Sequence, residues 1–113
     1  MLIITLLLNR VWFPPDQSHK LGQAYIDWLK ITPPDKTIEK NICIAVGSDE
    51  KGDILVYGIG EVQKGKEKEA LTLTSKGNLF MASKIDGLKY KTELLMDFTE
   101  AYKILDMSAP EEV

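Results

Sequence analysis

The 113-residue chain holds one cysteine, one histidine and no excess of basic charge. Each shortage removes a class of function. A lone Cys43 forms no intramolecular disulfide and supplies no zinc-ligand spacing. Within the apolar run Ile42 to Val46 it reads as a small buried hydrophobe and not as a reactive thiol. A lone His19 leaves no histidine-rich metal or haem set, and its place in the first turn of a predicted helix, off the apolar stripe, faces it to solvent. Lys and Arg total 14 against 17 Asp and Glu, a net charge of −3, so the basic stripe of a nucleic-acid module is missing. The densest basic stretch, Lys64 to Lys68, is broken by Glu67 and reads as a solvated helix start.

Long hydrophobic runs are missing too. The apolar opening from Leu2 to Leu8 falls far short of the ~20 residues that span a bilayer. No basic residue precedes it, and Arg10, Trp12 and Pro14-Pro15 stand where a leader would carry a small-residue cleavage site. No Asn-x-Ser/Thr acceptor occurs. Together these point to a cytoplasmic protein with no membrane, metal or cofactor chemistry. The composition, 44% hydrophobic and 27% charged, is that of an ordinary globular domain. A domain of this length buries about 65% of its unfolded surface.

What the chain does have is a clear order of hydrophobic periods. Strand 1, about Leu2 to Phe13, is apolar on both faces: Leu2, Ile4, Leu6 and Leu8 point one way, and Ile3, Leu7, Val11 and Phe13 the other. Pro14-Pro15 stops it. A helix from near Asp16 carries Leu21, Ala24, Tyr25, Trp28 and Leu29 at i, i+3, i+4, i+7, i+8 and ends at Thr32-Pro33-Pro34. Strand 2 covers about Glu39 to Gly47, Ser48 to Asp53 supplies a hairpin tip, and strand 3 runs from Ile54 to Val62. A second helix from near Lys66, ending before Gly87, has the looser stripe Ala70, Leu73, Gly77, Phe80, Met81, Ile85, in which Gly77 allows a break or kink between Thr74 and Asn78. Strand 4 spans about Leu88 to Met96, with Tyr90, Thr92, Leu94 and Met96 inward, and Thr99 precedes a short helix over Glu100 to Leu105.

The order β-α-β-β-α-β predicts an α+β, ferredoxin-like sandwich: a four-stranded antiparallel sheet with two helices on one face and a short C-terminal helix. It forms one domain over residues 1–105, followed by a flexible tail over 106–113. Two helices cover one face of that sheet. The apolar far face then calls for a second copy of the chain, paired sheet to sheet.

The strand and helix order, the segment Trp12-Phe13-Pro14-Pro15 and the segment Met96-Asp97-Phe98-Thr99-Glu100-Ala101 resemble the dimeric α+β barrel superfamily across nearly the whole chain. The resemblance implies a homodimer with a pocket between sheet and helices. That superfamily hosts cofactor-independent monooxygenases and isomerases alongside non-catalytic members, so it does not select a chemistry.

Candidate site residues come from polar and aromatic breaks in the pattern. Asn9 and Arg10 interrupt the first strand; buried, they need partners, because an unpaired buried polar group costs about 1–3 kcal/mol. One of them orients a ligand, or Arg10 pairs with an acid on strand 4 or across a dimer. Trp12, Tyr25, Phe80 and Tyr90 either line an apolar pocket or pack the core. Gly58-Ile59-Gly60 lies within a strand with no helix directly after it, so it marks a bulge or a close backbone approach and not a phosphate loop. Two functions follow: a dimer that binds a small apolar molecule or serves as an interaction module, or a cofactor-independent enzyme of the monooxygenase or isomerase kind acting on a small organic substrate.

Overall fold

The computed structural model describes residues 4–111. The elements are β1 (Thr5–Phe13), a 3-10 turn (Pro15–Gln17), α1 (Ser18–Ile31), β2 (Glu39–Ser48), β3 (Ile54–Val62), α2 (Glu67–Lys84), β4 (Lys89–Met96) and α3 (Phe98–Ile104). The strands form one antiparallel sheet in the order β2-β3-β1-β4, the ferredoxin-like arrangement expected. The expected residues of strand 1 before Ile4 and the last two of the tail lie outside the described residues.

β1 occupies the middle of the sheet, which is why its sequence is apolar on both faces. Its odd positions, Thr5 to Phe13, share a face with the even positions of β3 and β4: Leu7 stands opposite Gly60 and Leu94, and Val11 opposite Val56 and Tyr90. This is the helix face. Leu7, Val62 and Ala70 form a buried cluster there, with Ile38 and Leu71 against it, and Phe13, Ala24, Met81 and Ile85 are buried as well.

α2 runs unbroken from Thr74 to Asn78. Gly77 is there for packing: a Cβ at that position would stand 3.0 Å from Trp28 Nε1. Trp28 thus seats α1 on α2, and its ring also meets Phe80 at 5.5 Å between centroids. The missing side chain is what lets the two helices approach. α2 ends at Lys84, and Gly87, at φ +76°, turns the chain toward β4 against Pro14.

α2 packs over β1 and β4, α1 packs against α2, and β2 is left bare. Residues 41–48 are all exposed, including Ile42 (55%), Ile44 (50%) and Val46 (68%). This overturns the expectation for Cys43, which is exposed and not buried. An apolar run normally signals a covered strand. Here it belongs to an edge strand that neither helix reaches. The molecule is correspondingly flat, 48 × 32 × 18 Å.

Candidate functional site

The two polar interruptions of strand 1 point to opposite faces, so they do different things. Asn9 lies on the helix face and meets Asn78, which is 3% exposed on α2. The two carboxamides bond reciprocally: Asn9 Nδ2 donates to Asn78 Oδ1, and Asn78 Nδ2 to Asn9 Oδ1, both at 2.9 Å. Thr92 of β4 closes the set. Its hydroxyl donates to Asn9 Oδ1 at 2.8 Å and accepts from Asn78 Nδ2 at 3.2 Å. Every one of the three side chains is partnered by the other two. In a low-dielectric interior such a satisfied network fixes one arrangement of α2 against β1 and β4. Its side chains are committed to one another before any substrate.

Arg10 lies on the open face and forms an ion pair with Glu93 of β4, with Lys91 Nζ at 3.9 Å from the same carboxylate. Pairing with an acid on strand 4 was one of the two roles read from the sequence. Its Nε is buried without a hydrogen-bond partner among the described residues.

The aromatic candidates do not converge with these. Trp12 shares the open face with Arg10, opposite Leu55 and Lys89. Tyr25 (39% exposed) lies on α1, and Tyr90 (39% exposed) is on the helix face of β4 opposite Val11. Phe80 packs on Trp28 on one side and carries Lys84 Nζ at 5.0 Å from its ring centre. The six positions therefore divide between two faces of a sheet and the outer helix layer. Two open depressions lie elsewhere. One, of about 260 Å3, is lined by Ile4, Thr5, Leu94, Leu95, Met96 and Glu100; the other, of about 310 Å3, lies between α1 and the end of α2 and is lined by Lys20, Gln23, Ala24, Asp27 and Lys84. No group of three or more metal-ligating side chains occurs among the described residues, and no described helix is long and apolar enough to cross a membrane.

Asn78 is the residue that sequence reasoning placed on an amphipathic helix and did not assign. Its signal was there: Asn78 stands eight residues after Ala70 and three before Met81, on the buried stripe. Asn9 likewise holds the parity of Leu7 and Val11. Two polar breaks on two buried stripes find each other.

Two carboxyls are displaced from their ordinary ionisation. Burial holds the Glu39 carboxyl above its usual range; its side chain lies across Gly60, where a Cβ has no room. The close approach at Gly60 is thus made by a side chain, where the Gly58-Ile59-Gly60 stretch was expected to mark a bulge or a close backbone contact. Asp35 is held below its usual range by the hydroxyl and amide of Thr37, which donate at 2.6 and 2.9 Å in the loop before β2.

The open face of the sheet is the side opposite Leu7, Asn9 and Val11. It presents Leu6, Leu8 and Trp12 of β1, Leu55, Tyr57 and Ile59 of β3, and the small Cys43, Ala45 and Gly47 of β2, with Lys89, Lys91 and Glu93 along the β4 side.

No protein-family model matches the chain, and no curated protein sequence does. Among solved structures, a conserved protein from Methanosarcina mazei Go1 superposes with a TM-score of 0.54 at 8% identity, over 84% of this chain and 93% of that one. The C-terminal domain of the MgtC protein from Mycobacterium tuberculosis aligns with a TM-score of 0.49, also at 8% identity, over 84% and 94%. The first likeness is one of fold: a small α+β domain built on a four-stranded antiparallel sheet.

Proposed function

We infer that the protein is a homotypic interaction module, whose working surface is the open face of the sheet and whose partner there is a second copy of the chain. The observation that carries this is the apolar band Leu6, Leu8, Trp12, Leu55, Tyr57 and Ile59 on the face turned away from α2, in which Tyr57 is exposed and the rest are half-buried. Four strands about 4.8 Å apart and nine residues long at about 3.4 Å each give roughly 600 Å2 of projected area. The accessible area of side chains exceeds their projection, which brings the face near the ~800 Å2 per partner of a standard interface. A pairing of this kind matches the sheet-to-sheet dimer of the superfamily that the sequence resembles. The Asn9-Asn78-Thr92 network favours this reading over the enzyme, since its three side chains are engaged with one another.

Light scattering and thermal melts test it. The wild type is expected as a multiple of the chain mass with a midpoint that rises with protein concentration. Leu8→Glu puts a charge in the middle of the band and is expected to lower the mass and weaken that concentration dependence. A wild type that stays monomeric at micromolar concentration ends the proposal. A small apolar molecule retained in native mass spectra would instead favour a binding role.

A further inference from the structure

β2 has one foothold in the rest of the molecule. Of its ten residues only Glu39 is not exposed, and its side chain lies on the helix face, across Gly60. The carboxyl fills the place that a Cβ at Gly60 would take. Gly60 stands opposite Leu7 and Glu39 opposite Val62, so the carboxyl sits beside the buried cluster that those two form with Ala70. Just before it the chain is tied down: the Ile38 carbonyl accepts from the Gln63 amide at 2.8 Å, and Ile38 packs on the same cluster. Just after it, the irregularity between Asn41 and Cys43 interrupts the pairing with β3. Glu39 thus stands where an anchored foot meets a loosely held strand.

That carboxyl has no partner among the described residues. Burial alone displaces its ionisation, with no hydrogen bond or charge contributing. Lys40 and Glu61 stand on the opposite face of the sheet. At the start of α2, Lys66 pairs with Glu69 at 3.1 Å, and neither Glu67 nor Lys68 reaches Glu39. In the loop before β2, Asp35 is engaged by Thr37.

We propose that Glu39 is a proton-operated latch for β2: neutral, its carboxyl stays seated on Gly60 and holds the strand to the sheet, and ionised, it lets β2 open from β3 while β1 and β4 stay paired. An ionised carboxylate half withdrawn from water and without a partner loses hydration that the neutral acid hardly needs. Opening β2 restores that hydration and gives up little else, since every other side chain of the strand is already exposed. The seated state therefore binds the proton more tightly than the opened one. The latch holds below the ordinary carboxyl value of 4.5 and weakens as pH rises through the seated value. Asp35 is displaced the other way, below its ordinary 3.8, so it stays ionised over that range and takes no part in the change. The latch lies on the helix face, so it stands or falls independently of the open-face association.

Amide hydrogen exchange tests it, read residue by residue by NMR as protection relative to the unstructured rate at each pH. As pH is raised from 4.5 to about 7, protection of the ladder amides between β2 and β3 is expected to fall, while that of the amides between β1 and β4 holds. Glu39→Gln keeps the shape without the charge and is expected to leave β2 protected at both ends of the range. Gly60→Ala puts a Cβ where the carboxyl sits, and is expected to lower the protection at both ends and to abolish its pH dependence. The same fall in Glu39→Gln, a fall shared equally by the β1–β4 amides, or a pH dependence that survives Gly60→Ala would each overturn the proposal. So would a wild-type Glu39 whose carboxyl carbon titrates at or below 4.5 by NMR.

Discussion

Asn78 holds its place through its partners more than through its own burial. Replacement by leucine removes the reciprocal bonds to Asn9 and leaves that amide without its partner on α2. Asn78→Leu is expected to lower unfolding free energy by about 1–3 kcal/mol in a urea titration. Replacing the whole set, Asn9→Leu with Asn78→Leu and Thr92→Val, should recover most of the loss, because no polar group is then left unpaired. Glu39 makes the opposite case. Its folded carboxyl titrates above the ordinary 4.5, so the folded chain holds the proton more tightly than the unfolded one. The corresponding stability is present below that ordinary value and lost as pH rises through the folded value. Glu39→Gln is therefore expected to raise the melting temperature near pH 7, with the gap closing below pH 4.5.

The elements differ in how plainly they announce themselves. β3 is legible to the residue, since the apolar run Ile54–Val62 is bounded by a hairpin tip and a turn. The first helix is legible from its stripe, although its outer member Tyr25 remains exposed. The second misleads at Gly77, because glycine signals a weak helix when only the local chain is considered. The counterweight is tertiary: Trp28 arrives from α1, a fact no local window contains. Gly77→Leu is expected to destabilise by about 1–3 kcal/mol in denaturant unfolding by driving the helices apart at Trp28. Cys43 misleads for a related reason. An apolar run looks the same at an edge as in the middle of a sheet, and strand order decides which it is.

For the molecule as a whole, the β-α-β-β-α-β order is enough to give the layers and the sheet order. The placement of the helices is not legible, since stripes on α1 and α2 say that each is covered without saying which strands cover them. The candidate site is legible only in part. The sequence marks Asn9 and Arg10 as polar breaks, but whether such residues open onto a cleft or close on each other depends on Asn78, Thr92 and Glu93, all far along the chain. Hence the aromatic candidates scatter, and the broad surface is the open face.

The central place of β1 also has a consequence in time. It is the strand synthesised first, and its two neighbours in the sheet are β3 and β4, so Leu7 must wait for Gly60 and then for Leu94. Of the pairings in the sheet, the β2–β3 hairpin alone joins strands that follow one another closely. Such distant pairings slow folding, and meanwhile the central strand of the sheet stands unpaired. The segment that finishes as the best-protected part of the sheet is, during synthesis, the one left longest without shelter.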